Sequence, residues 1–181
     1  MLRFVNIFEI FRDYYHIMRK DLNCVPFLVI VFLIPFLITI FLAWIIPDSV
    51  FTEFVKNLII INTILIPLLI NVLMILYYSI ERTKNFPTSN SDDKLHFLKH
   101  LHVSISMTIL VSIIILILSV ILDVVTINGS KQLFGSTFFY ITIWKWITFF
   151  LVSFLFVNLL VIIKRIHHLI DYEISEKTPN E

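Results

Sequence analysis

The sequence predicts an all-α integral membrane protein: four transmembrane helices, an interfacial amphipathic helix before them, and cytoplasmic helical extensions. Hydrophobic residues make up 59% of its 181 residues, and the mean hydropathy of +0.94 exceeds that of ordinary soluble domains. The charged residues gather in short segments between long apolar runs. Four of those runs reach the roughly 20 residues that a helix needs to cross a bilayer core.

The first predicted element, residues 1–22, is a helix that lies in the headgroup plane. Apolar side chains recur at helical spacing on one face, and charged and polar side chains fill the other. The predicted membrane-surface face consists of Phe4, Ile7, Phe8, Phe11, Tyr14, Tyr15 and Met18. The basic residues of this segment favour a bilayer with an anionic inner leaflet. A membrane anchor is the simpler interpretation, and a sensor of lipid packing or a partner-docking site is the alternative.

The predicted transmembrane domain covers residues 25–163. Its backbone must satisfy its own hydrogen bonds in lipid, so each apolar run is predicted to be helical. The predicted spans are about 25–46, 58–80, 103–125 and 138–163. Pro35 and Pro67 are predicted to kink the first two spans. Three amides are predicted to bond across helices: Asn62, Asn71 and Asn158.

The orientation follows from the basic residues. All but three of the 14 lysines and arginines precede the first span, follow the fourth, or lie between the second and third. By the positive-inside rule both termini are cytoplasmic. Residues 164–181 are then a cytoplasmic helical tail. Its apolar stripe packs against a neighbouring helix or subunit, or docks a soluble partner: Ile166, Leu169, Ile170 and Ile174.

The third span carries a stripe of polar residues within about 100° of arc. Its members are Ser104, Thr108, Ser112, Ser119 and Asp123. Small hydroxyl side chains let helices approach closely, so the stripe is interpreted as a helix-packing face. A pore-facing stripe in an oligomer is the alternative. Asp123 and Lys145 lie near the ends of adjacent spans, where an interfacial ion pair is predicted.

Several classes of function are disfavoured by what the sequence lacks. With Cys24 as its one cysteine and only two glycines, the chain has no cysteine metal site, phosphate-binding glycine loop or GxxxG motif. His96 and His100 are spaced for a shared metal, but nothing completes a site. We therefore predict no enzyme, no cofactor and no metal. A net charge of +1 gives no reason to expect direct nucleic-acid binding.

The chain layout resembles that of the KwaA membrane subunits of the Kiwa antiphage defence system. Three segments carry this resemblance: MLRFVNIFEIFRDYYHIMRK at the start, LLINVLMILYYSIERTKN leaving the second span, and LLVIIKRIHHLIDYEI at the end of the fourth. None of them is a diagnostic motif. The resemblance implies a homo-oligomeric inner-membrane sensor of phage attack that signals to a soluble, DNA-binding partner in the cytoplasm.

The sequence therefore predicts a small homo-oligomeric membrane sensor or scaffold that acts through a soluble cytoplasmic partner. Four spans bury little surface in isolation, which favours assembly with further copies. One alternative is a pore-forming or depolarising effector of holin type. A second alternative is an immunity or exclusion protein that binds another membrane protein.

Overall fold

The computed structural model describes residues 10, 12–15, 32–85, 91–127 and 137–177, and these residues are nearly all helical. In addition to the helical residues 12–15, four helices follow along this part of the chain. They are α1 (Ile34–Ile45), α2 (Asp48–Asn85), α3 (Ser91–Ile127) and α4 (Thr137–Lys177). The predicted all-α class is confirmed for the described residues.

Three of these helices are long and apolar enough to cross a membrane. The stretches that meet both criteria are Val50–Asn85, Lys94–Val124 and Thr142–His167. Helix α1 is apolar but has only 12 residues, and the predicted first span begins outside the described part of the chain. A fourth span therefore stays a prediction. The long helices have 38, 37 and 41 residues, or about 55–60 Å each, well beyond a bilayer core of roughly 30 Å.

The turn between α1 and α2 is short. Helix α1 ends at Ile45 and α2 already begins at Asp48, ten residues before the start of the predicted second span. Ile46 is extended, with φ −86° and ψ 114°, as favoured before a proline. The Pro47 carbonyl then accepts backbone hydrogen bonds from Val50 and Phe51, at 3.1 and 3.2 Å. Residues 48–57 are partly polar, so hydropathy does not identify them as part of the helix. Polar side chains do not prevent helical hydrogen bonding, and α2 includes these residues.

The two prolines of the first two spans lie in continuous helix. Pro35 is in the first turn of α1, and Leu33 before it already has helical backbone angles, φ −68° and ψ −45°. Its carbonyl accepts a 2.7 Å hydrogen bond from Thr39 Oγ1. Pro67 lies inside α2, which is helical from Asp48 to Asn85. Neither proline ends its helix.

Helix α3 packs against both α2 and α4, and α1 packs against α4. Buried apolar residues form three layers along this bundle. The upper layer contains Phe51, Val55, Leu122 and Phe149. The middle layer contains Tyr14, Leu58, Met107, Val111, Ile115 and Leu155. The lower layer contains Leu69, Leu76, Leu98, Leu101, Ile105 and Ile162. Residue numbers rise from upper to lower layer in α2 and α4 and fall in α3, so α3 is antiparallel to both.

The outer surface of the bundle is strongly apolar. Large side chains such as Trp44, Tyr78, Ile75 and Met74 are 67–87% exposed. Soluble monomers rarely expose so much contiguous apolar surface, whereas hydrocarbon solvates it without penalty. The exterior therefore agrees with the three helices of span length in indicating a membrane protein.

Candidate functional site

The most concentrated polar contacts inside the bundle join the N-terminal segment, α3 and α4. Tyr14 is only 5% exposed and belongs to the middle layer with residues of α2, α3 and α4. Its hydroxyl donates a hydrogen bond to Asn158 Oδ1. Ile10, one helical turn earlier, also packs against this layer. The N-terminal segment thus reaches the interior of the bundle at this point.

This placement differs from the one that the sequence predicted for Tyr14. The predicted membrane-surface face included Tyr14, yet protein rather than lipid covers its ring. Arg12 and Tyr15 are exposed. One face of the segment therefore packs against the bundle, and the other face lies outside it. The remaining predicted members of this face lie outside the described residues: Phe4, Ile7, Phe8, Phe11 and Met18.

Asn158 joins the N-terminal segment to α4, as predicted for a cross-helix amide. Its Nδ2 donates a 2.8 Å hydrogen bond to the Phe154 carbonyl, four residues earlier in α4. That bond fixes the amide so that Oδ1 is available to Tyr14. Asn158 is 3% exposed, so its polar atoms depend on these protein partners.

Arg165 lies two helical turns after Asn158 on α4 and bonds to α3. Its Nη1 donates to Ser104 Oγ at 2.6 Å and to the His100 carbonyl at 3.3 Å. Ser104 Oγ in turn donates to the same carbonyl at 3.1 Å. A seven-residue spacing places Asn158 and Arg165 on nearly the same face of α4. Together with Tyr14 and Ser104 they form what we call the α4 polar seam.

The predicted polar stripe of α3 lies inside the chain's own bundle. Ser104, Thr108, Ser112 and Ser119 are at most 2% exposed. Ser104 contacts Arg165, and Thr108 Oγ1 donates to the Ser104 carbonyl at 2.8 Å. Within the described part of the chain, several buried oxygens on three helices have no hydrogen-bond partner: Asn62 Oδ1, Ser112 Oγ, Ser119 Oγ, Asp123 Oδ1, Thr148 Oγ1 and Ser153 Oγ. Buried oxygens of this kind are the usual partners of internal water.

Lys145 caps α1 from α4. Its Nζ donates a hydrogen bond to the Ile46 carbonyl, at the C-terminal end of α1. A cation at a helix C-terminus is favoured by the helix dipole, and α1 has no basic residue in its own last turn. The predicted pairing of Lys145 with Asp123 stays a prediction. Lys145 and Arg165 are 20 residues apart, about 30 Å along α4.

The predicted docking stripe after the fourth span lies on α4 and is partly used within the chain. Ile166 and Leu169 pack against the lower layer, and Ile170 is 49% exposed. The side chain of Ile174 lies outside the described part of the structure. Among the described members of the stripe, Ile170 is the exposed one.

The histidines of α3 form no metal centre within the described chain. The rings of His96 and His100 lie 4.1 Å apart between centroids. Among the described residues, no group of three or more His, Cys, Asp or Glu side chains lies close enough to hold a metal ion.

No protein-family model, curated protein or solved structure matches this chain. Arg165 is the member of the α4 polar seam that the sequence reasoning missed, because it counted only as an orienting charge. The seven-residue spacing from Asn158 is the signal that could have identified it.

Proposed function

We propose that the chain is a multi-pass protein of the bacterial inner membrane, with four spans and both termini in the cytoplasm. Three helices of span length support the membrane location. The concentration of lysine and arginine at the termini and in the middle loop supports the orientation. In this topology α1 forms the second half of the first span, and the turn at Pro47 lies on the outer side.

Within this topology, the proposed function is that of a homo-oligomeric sensor or scaffold in antiphage defence that signals to a soluble cytoplasmic partner. The observation that carries the proposal is the position of Tyr14. A segment that precedes the first span is bonded to Asn158 in the middle layer of the bundle. Movement of the transmembrane helices therefore changes the environment of a segment that precedes the first span and is docked inside the bundle.

The signalling step follows from the two environments open to this segment. Its apolar face packs in the bundle, and an amphipathic helix is also stable in the headgroup plane. A disturbance of the bilayer that loosens the bundle shifts the segment from the first environment to the second. The shift uncovers the middle layer and carries the segment, including Arg12, to the cytoplasmic headgroup plane, where a cytoplasmic partner reads the change.

Growth and infection assays in bacteria test this function. We express the chain with its neighbouring genes and compare Tyr14→Phe with the matched control Tyr15→Phe, since Tyr15 is 48% exposed. The wild type is expected to reduce phage plaques. Tyr14→Phe weakens the docked state, so it is expected to slow growth without phage only when the partner gene is present. Equal growth of both variants, with no protection by the wild type, would overturn the proposal.

Co-purification tests the cytoplasmic partner separately. The tagged chain, extracted in mild detergent, is expected to retain a soluble protein encoded by a neighbouring gene. Tyr14→Phe is expected to change the amount retained, and Tyr15→Phe is not. Recovery of the chain alone, with and without phage infection, would contradict the partner.

A depolarising pore is the second candidate, and the buried oxygens of α2, α3 and α4 favour it. Six of them lie without hydrogen-bond partners inside helices of span length, and water that bonds to them would hydrate the interior. Reconstitution into liposomes loaded with a small dye separates the two functions. A sensor leaves the dye inside, whereas a pore releases it, and Ser112→Ala with Ser153→Ala would slow that release.

A further inference from the structure

Helix α2 is the least covered of the three helices of span length. Only 17% of its apolar stretch is buried in the bundle, against 44% for both α3 and α4. Lipid accounts for its exposed apolar side chains, such as Ile60, Ile64 and Met74. Lipid does not account for the polar side chains on the same surface.

Four exposed polar residues lie along one side of α2. They are Glu53, Lys56, Asn57 and Asn71, and at 3.6 residues per turn they fall within about 100° of arc. We call this surface the α2 polar face. Thr63 is also exposed, but its hydroxyl donates to the Ile59 carbonyl of the same helix at 2.7 Å. Thr63 therefore needs no outside partner.

The α2 polar face lies at the depth of the apolar stretches of the other helices. Lys56 lies between Val55, which belongs to the upper layer with Phe149, and Leu58, which belongs to the middle layer with Leu155. Asn71 follows Leu69, which belongs to the lower layer with Ile162. These α4 residues all lie inside the apolar stretch Thr142–His167. In an isolated chain that crosses a membrane, Asn71 would face hydrocarbon, and Glu53 and Lys56 would lie between Asn71 and the turn at Pro47.

Exposure of the α2 polar face to lipid is energetically unfavourable in a single copy of the chain. An uncompensated amide or charge at hydrocarbon depth is unfavourable, and such residues in spans normally turn towards protein or water. Burial in this chain's own bundle does not relieve the cost, because all four side chains are exposed.

We propose that the α2 polar face binds the same face of a second copy of this chain, across a two-fold axis along the membrane normal. Such an axis brings equal depths together and gives both copies the same topology. An asparagine amide both donates and accepts, so Asn71 can pair with the partner's Asn71. Glu53 and Lys56 have opposite charges one turn apart, so each can reach its opposite on the other copy. The face is self-complementary.

This inference deepens the proposed oligomer and rests on the membrane topology proposed above. It does not depend on the signalling role. Cross-linking in isolated membranes tests the surface without phage or partner, so its failure is distinguishable from failure of the infection assay.

Cysteine cross-linking locates the interface. In a Cys24→Ala background, Ile64→Cys places a thiol on the α2 polar face, and Phe156→Cys places one on the exposed side of α4 as the control. Mild oxidation of membranes is expected to produce a disulfide dimer with Ile64→Cys and little with Phe156→Cys. Equal cross-linking at both positions, or none at Ile64→Cys, would overturn the inference.

Substitutions of the face residues test the contacts themselves. Asn71→Leu is expected to weaken dimer formation about 3- to 20-fold, as for interhelical hydrogen bonds in membranes. Thr63→Val is the matched control and is expected to change nothing. Glu53→Lys is expected to weaken the dimer, and Glu53→Lys combined with Lys56→Glu to restore it. Unchanged association in Asn71→Leu, or no rescue by the double swap, would show that this face is not the interface.

Discussion

Helices α2 and α4 are similar in length and apolar content, but they place their polar residues oppositely. On α4, Lys145, Asn158 and Arg165 each bond to another element of the same chain. On α2, Glu53, Lys56 and Asn71 are exposed. The bonded polar residues of α4 therefore hold the single chain together. The exposed polar residues of α2 are available to contact another molecule.

The largest expected effect comes from the apolar packing of α4. Phe149 is fully buried, with ring centroids 5.5 Å from Phe51 and 5.4 Å from Phe54. Phe149→Ala is expected to lower the free energy of unfolding by about 3–5 kcal/mol. On α2, Ile70 is 44% exposed, and Ile70→Ala is expected to change it by less than about 0.5 kcal/mol. Denaturant unfolding in micelles measures the unfolding free energy of both variants. Similar losses of stability would contradict the difference between α4 and α2.

The next effect concerns the bond from α4 to α3. Arg165→Leu removes two hydrogen bonds to α3 and is expected to cost about 1–3 kcal/mol of unfolding free energy. Lys164 precedes it on α4 and is exposed, so Lys164→Leu is the matched control and should leave stability nearly unchanged. Thermal unfolding in the same detergent compares them. Equal stability of the two variants would show that the hydrogen bonds of Arg165 to α3 do not stabilise the fold.

A smaller effect is expected at Tyr14. Tyr14→Phe removes only the hydroxyl that bonds to Asn158, which should cost about 1 kcal/mol. Tyr15→Phe should have no effect. A double-mutant cycle with Asn158→Leu is expected to give a coupling energy of similar size. Additive single effects would show that the hydrogen bond does not hold the N-terminal segment.

The smallest effect on stability is expected on α2. Asn71→Leu replaces an exposed amide with an apolar side chain, so unfolding of the monomer in micelles should change by less than about 0.5 kcal/mol. The same variant is expected to lose dimer in membranes. A large loss of monomer stability would mean that Asn71 acts within the chain, as Asn158 does.

Much of the helical architecture was predictable from the sequence, because apolar runs of span length leave few alternatives in lipid. The predicted spans 58–80, 103–125 and 138–163 each lie within one helix of the structure. The start of α2 at Asp48 was not predicted. Hydropathy measures how favourably a side chain transfers from water to lipid, and it contains no information on backbone hydrogen bonding. Residues 48–57 are helical but partly polar.

The α4 polar seam was predictable only in part. Asn158 was expected to bond across helices because an amide in a span needs a partner. The partner, Tyr14, was assigned to the membrane surface. Helical periodicity identifies an apolar face but does not distinguish a covering of lipid from one of protein. Arg165 was not predicted as a contact residue, because a basic residue after a span already fits the positive-inside rule.

The bonds of Lys145 and Arg165 also limit how far α4 can move relative to α1 and α3. The two cations are tied to the Ile46 carbonyl and to Ser104, and about 30 Å of helix separates them, the thickness of an average hydrocarbon core. Because both bonds lie within the chain, tilting of α4 relative to α1 and α3 would lengthen them, whereas tilting of the whole bundle would not. The two bonds therefore resist rotation of α4 against its neighbours over about 30 Å of its length.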